Sequence, residues 1–158
     1  MKNRAWVISV VAGSLAGCAA PYKPPTSGPT ATLVIEVPGE NMFGITQFTS
    51  IAGDDQCSNR AMLAVFSPIR TKPVTHVIQA ESRVYLLADV GSSEFKGGNT
   101  ISLRGCKQLV SFVPRQGAQY FFKQRFAGPS CQVDLVQVGE AKLPASFEAH
   151  STKVKACD

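Results

Sequence analysis

Histidine is nearly missing from this chain: His76 and His150 are the only two among 158 residues. They lie far apart in sequence, so no local histidine metal cluster or histidine-based proton relay is written into it. No Cys-x-x-Cys pair occurs, which removes the common zinc and thioredoxin-like spacings. No block of like charge occurs either, and charged residues make up only 17% of the chain. The net charge of +5 includes Lys2 and Arg4, and without them it is +3. Scattered charge of that size speaks against a nucleic-acid partner. There is no Gly-x-Ser-x-Gly elbow, since Gly91-Ser92-Ser93 lacks the frame. A phosphate-cradling glycine loop and a dinucleotide fingerprint are missing too, so no cofactor is expected. No repeat of fixed period is visible.

What is present begins at the N-terminus. Lys2 and Arg4 precede an uncharged run from Ala5 to Ala16, whose end forms part of Leu15-Ala16-Gly17-Cys18. A cationic start, a short apolar segment and small residues before a cleavage point make a secretory signal peptide over 1–17. The run is too short for a membrane span, which takes about 20 apolar residues, and Gly13, Ser14 and Gly17 interrupt it. Small residues also precede ordinary cleavage sites, but a cysteine at the cleavage point resembles the lipobox of bacterial lipoproteins. That resemblance implies a mature chain starting at Cys18, with diacylglycerol on sulfur and a further acyl chain on the amino group. The implied partner is a membrane, gripped through the acyl chains on Cys18, because several chains anchor where one is marginal. Ala19 stands where an Asp favours retention in the inner membrane. The resemblance therefore implies the outer membrane of a Gram-negative cell, with the domain facing the periplasm.

Residues 18–31 include Pro21, Pro24, Pro25 and Pro29 and read as a semi-rigid, solvated tether. Beyond it the dominant hydrophobic period is two. Leu33, Ile35 and Val37 share one face of a first strand that Pro38-Gly39 ends. Gly44 to Ile51 is a second candidate, closed by Gly53-Asp54-Asp55. Val74 to Ala80 and Val84 to Val90 flank Glu81-Ser82-Arg83 and predict a hairpin, with Val84, Leu86, Ala88 and Val90 on one face. Ile101 to Arg104 is a short strand. Leu109 to Val113, the turn Pro114-Arg115-Gln116-Gly117, Ala118 to Phe126 and Cys131 to Val138 predict a meander. Within it Tyr120, Phe122 and Phe126 oppose Phe121, Lys123 and Arg125. Only Asn59 to Phe66 carries a helical signal, which Pro68 cuts short. The expectation is an all-β, compact antiparallel β-sandwich of about seven or eight short strands over 32–143, followed by a tail over 144–158.

Besides Cys18 there are four cysteines: Cys57, Cys106, Cys131 and Cys157. An even number in an exported chain argues for two disulfides, with three connectivities open. Cys106 and Cys131 flank the two strongest strands, so that pairing is favoured, and it leaves Cys57 with Cys157. The stretch from Cys106 through Phe112-Val113-Pro114, Gly117 and Tyr120 to Cys131-Gln132-Val133 resembles small proteobacterial envelope lipoproteins with a compact β-sandwich. That group is largely without assigned function. The likeness covers the final half of the domain and the lipobox.

Candidate chemistry is sparse. His76 falls within a strand and His150 in the tail. Asp54 and Asp55 make a turn-prone pair more readily than a calcium site, so no metal is expected. Glu36, Glu81, Asp89 and Glu94 offer carboxylates, yet nothing selects a pair with glycosidase geometry. The face with Phe121, Lys123 and Arg125 alternates aromatic and cationic residues as a contact patch does, and Arg104, Lys107 and Arg115 extend it if the strands pair as a meander. The expected role is a non-enzymatic envelope accessory or protein-interaction module with an unknown envelope protein as partner. The alternatives are a binding inhibitor or accessory subunit of an envelope secretion machine, and a cell-envelope hydrolase.

Overall fold

A computed structural model describes residues 20–36, 45–69, 72–96, 100–127, 130–140, 142–151 and 157. Cys18 and the residues before it lie outside the described residues, as do Val37, Pro38, Gly39 and Gly44 and the side chains of Glu94 and Phe126. The strands are β1 (Ala20–Pro21), β2 (Thr30–Glu36), β3 (Ile45–Ala52), β4 (Ala61–Phe66), β5 (Val74–Gln79), β6 (Val84–Lys96), β7 (Thr100–Phe112), β8 (Gln119–Ala127), β9 (Ser130–Gln137) and β10 (Glu148–Ala149). They form a six-stranded sheet A, in the order β1-β4-β3-β6-β7-β10, and a four-stranded sheet B, β5-β2-β8-β9. Most neighbours run antiparallel, but β1–β4 and β2–β8 are parallel.

The alternation that marks these segments as strands also builds the core, because every second side chain points inward. Leu33 and Ile35 of β2, Leu86, Ala88 and Val90 of β6, Val110 and Phe112 of β7, Tyr120 and Phe122 of β8 and Leu135 of β9 are wholly buried. The Phe112 and Tyr120 rings meet edge to face with centroids 5.0 Å apart. The Tyr120 hydroxyl, inside this layer, accepts from the Arg115 amide at 2.9 Å and donates to Gln137 Oε1 at 3.2 Å. Toward one pole the core turns polar. Gln124 Nε2 of sheet B donates to Thr49 Oγ1 at 2.6 Å and to the Phe48 carbonyl at 3.1 Å in sheet A. The Oε1 atoms of Gln47, Gln108 and Gln124 are buried with no hydrogen-bond partner among the described residues.

The connections differ from the expected ones in four places. Val74–Gln79 and the strand from Val84 make no hairpin, because β5 belongs to sheet B and β6 to sheet A. The turn between them, with Glu81 at φ 61°, carries the chain across the sandwich, and the Glu81 amide donates to the Pro114 carbonyl at 2.8 Å. The meander fails for the same reason. β7 and β8 lie in opposite sheets, and Pro114 to Gly117 is a crossover, its Gly117 amide donating to the Thr30 carbonyl at 2.8 Å. Asn59 to Phe66 holds no helix. Its helix-favouring residues are too few to meet the cost of nucleation, and six of them form β4 between β1 and β3. Finally, the prolines after Cys18 do not leave the chain free of the domain. Ala20–Pro21 pair with Ala61–Met62, and the Tyr22 amide donates to the Met62 carbonyl at 3.1 Å.

Each open side of the sandwich is stitched. On the β4–β5 side His76 Nε2 lies 2.7 Å from the Leu63 carbonyl. The Tyr22 ring stands edge-on to His76 there, and its hydroxyl donates to the Val77 carbonyl at 2.9 Å. On the β7–β9 side a Cys106–Cys131 disulfide joins the two sheets. A second disulfide, Cys57–Cys157, spans 100 residues and packs with Ala52, Leu87 and Leu109 in a small cluster. The C-terminal segment is thereby fixed to sheet A, where β10 also pairs with β7.

Candidate functional site

The register of sheet B assembles the site. Residues of β2, β5, β8 and β9 that do not point into the core form its outer face. Val34 is registered with Thr75 on one side and Phe121 on the other, and Phe121 with Val136. One row along, Glu36, Lys123 and Asp134 lie side by side. Val77 and Val136 are exposed on this face, and Leu143 from the chain beyond β9 is 51% exposed. Phe121, Lys123, Asp134, Val136 and Leu143 border a shallow groove of about 430 Å³.

The three residues singled out by alternation, Phe121, Lys123 and Arg125, do share this groove. Their charge has neighbours that the alternation does not reveal. Arg125 donates through Nε at 2.7 Å to Asp134 Oδ2, and its Nη2 contacts the same oxygen. With Glu36 and Asp134 flanking Lys123, acidic and basic groups balance across the face. An apolar centre with a paired-charge margin suits a protein surface better than a polyanion, which needs uncompensated cations. The proposed extension of the patch does not form. Lys107 of β7 lies 3.9 Å from Asp89 in sheet A, and Arg115 bonds Glu140 at 2.9 Å. The Arg104 side chain lies outside the described residues.

Asp54 of the turn-prone pair has structural partners, and the Glu94 side chain lies outside the described residues. Asp54 accepts from the Gln56 and Ser58 amides at 2.9 and 3.0 Å and from the Ser58 hydroxyl at 2.6 Å, folding the loop over itself. Those bonds, led by the Ser58 hydroxyl, hold its carboxyl below the ordinary value of 3.8. They also occupy its oxygens. Among the described residues no three His, Cys, Asp or Glu side chains gather as metal ligands do.

One constellation escapes sequence reading because its members are remote from each other. Ser111 Oγ lies 2.8 Å from His150 Nε2 and accepts from Arg83 at 2.9 Å, while Arg83 bonds Glu148 at 3.0 Å. Serine, histidine and an acid thus stand together, but not in catalytic order. Glu148 is 4.0 Å from the same Nε2 that meets the serine, whereas an orienting acid belongs on the other ring nitrogen. Ser111 is also wholly buried, so no substrate carbonyl reaches its oxygen. The cluster clamps β10 and Arg83 onto β7.

No protein family, curated protein or solved structure matches this chain. The function therefore rests on the site itself.

Proposed function

We propose that this chain is a lipid-anchored outer-membrane lipoprotein that works as a non-enzymatic, protein-binding accessory of the cell envelope. The observation that carries the reading is the outer face of sheet B, where Val136 and Leu143 stay exposed beside Phe121 in a groove with a balanced margin of charge. Apolar side chains gathered on one face, rimmed by polar ones, are the usual signature of a docking surface.

Anchoring supports the same reading. A lipobox ending at Cys18 leaves the domain beside the periplasmic leaflet, and disulfides persist in that oxidising space. In this proposal the partner is an envelope protein, and an accessory subunit and a binding inhibitor differ only in what that protein does. The test is co-purification of the lipidated protein from crosslinked envelopes, in parallel with a Val136→Asp variant. A partner recovered at near-equal yield with the wild type and lost with the variant supports the proposal. A partner retained by the variant removes this face from it, and wild-type protein recovered alone contradicts it.

A further inference from the structure

Cys18 is only two backbone steps from Ala20, and consecutive Cα atoms are 3.8 Å apart. Its Cα therefore lies within roughly 7.6 Å of the Ala20 Cα. At Ala20 the chain is already part of sheet A, paired to Ala61, with the Tyr22 amide on Met62 and the Tyr22 hydroxyl on Val77. The proline-rich segment thus supplies no slack between a modified Cys18 and the domain. Its prolines Pro24, Pro25 and Pro29 come after the docking point and lead into β2 along the protein.

The docking point also has a direction. β4 begins at Ala61, β3 ends at Ala52, and β6 begins at Val84 beside it, because Ala52 is registered with Tyr85. These strand ends define one pole of the sandwich, where Gly53 to Arg60 connects β3 to β4. We infer that this pole sits directly on the bilayer, with the Gly53–Arg60 loop among the phospholipid headgroups, instead of standing off on a spacer. The inference rests on the acylation of Cys18 proposed above and adds the orientation to it.

The loop is polar nearly throughout. Apart from Gly53 and the buried, disulfide-bonded Cys57, its residues are Asp54, Asp55, Gln56, Ser58, Asn59 and Arg60. Such a surface rests in the hydrated headgroup layer and does not enter hydrocarbon. Asp54 is tied up by Ser58 and Gln56, and Arg60 donates to the Cys157 carbonyl at 2.8 Å, so the loop meets the membrane as a preformed shape. With the strand ends on the bilayer, the outer face of sheet B opens sideways along the membrane. A partner docking there sits in or beside the same membrane.

The experiment places a photoreactive benzoylphenylalanine at Gln56 or at Lys72 in the full lipidated protein, reconstituted in phosphatidylethanolamine–phosphatidylglycerol vesicles. Both side chains are exposed, and Lys72 follows Phe66, the far end of β4. The expected result is phospholipid adducts from position 56 and none from position 72. A flexible Gly/Ser spacer inserted between Ala19 and Ala20 abolishes the adduct at 56. Equal adducts at both positions, adducts at 72 alone, or indifference to the spacer overturn the orientation while leaving the anchor in place. A Cys18 peptide without acyl mass overturns the anchor and the orientation together, and the same mass spectrum tells the two failures apart.

Discussion

The Tyr22 hydroxyl donates to the Val77 carbonyl at 2.9 Å across 55 residues of sequence, joining the first segment of sheet A to the edge strand of sheet B. Val77 lies on β5, whose outer side has no strand beside it among the described residues, so the phenol satisfies an edge carbonyl and closes that side of the sandwich. Together with the β1–β4 pairing and the Tyr22 amide on Met62, this contact makes residues that compose a spacer by their prolines part of the domain.

Replacing Tyr22 by Phe removes the bond and keeps the ring against His76. A net loss of about 1 kcal/mol is expected, the usual worth of one such hydrogen bond, read from chemical denaturation. A pH signature accompanies it. Burial raises the Tyr22 pKa above its ordinary 10.0, so its contribution to stability is complete below pH 10 and is lost as pH rises through the folded value. Wild type therefore shows an alkaline decline in melting temperature that is flatter in Tyr22→Phe, and parallel alkaline limbs would refute the assignment.

Asp54 gives the opposite sign at the other end of the pH scale. Its carboxylate is held below 3.8 by its bonds within the loop, so the stability it lends is present above that value and is lost as pH falls through the lower folded pKa. Asp54→Asn keeps the shape and drops the charge. Its stability is expected to fall less steeply than that of the wild type as pH drops through and below 3.8, with no difference in slope near neutrality.

Cys106–Cys131 closes 25 residues and is the covalent tie between sheets on its side of the sandwich. The chain-entropy model assigns such a loop about 3 kcal/mol. A Cys106→Ala, Cys131→Ala double variant should lose that much in equilibrium unfolding. Denatured protein kept from reductant should show no reactive thiol at Cys57, Cys106, Cys131 or Cys157, and labelling at any of them would contradict the two bridges.

Ser111→Ala separates a clamp from a catalytic serine. The variant leaves Arg83 and His150 facing an empty acceptor, at a cost of about 1–3 kcal/mol. Because Ser111 has no exposure, a serine-directed fluorophosphonate should not label the native protein. Stoichiometric labelling that disappears in Ser111→Ala would restore the hydrolase reading.

Alternation made the strands and much of the core legible. Val84, Leu86, Ala88 and Val90 read as one face and are buried together, as are Tyr120 and Phe122. Pairing was not legible, for a physical reason. Turn chemistry at Glu81-Ser82-Arg83 or Pro114 to Gly117 says that the chain reverses, while both sheets offer equivalent apolar inner faces for it to enter. A hairpin and a crossover therefore look alike in sequence. The contact patch shows the same limit. Phe121, Lys123 and Arg125 share a face by period alone, but Asp134 and Glu36 join them only through the register of β9 and β2. Ser111, His150 and Arg83 meet through the fixing of the C-terminal segment, which no local pattern announces.

The most direct test of the account is in-cell crosslinking of the full chain, followed by affinity purification and mass spectrometry. The account predicts one envelope protein at near-equal yield, crosslinked through residues around Phe121 and Val136 and lost when Val136 becomes Asp. Recovery of the protein alone, or of a partner crosslinked to any other face, would contradict it.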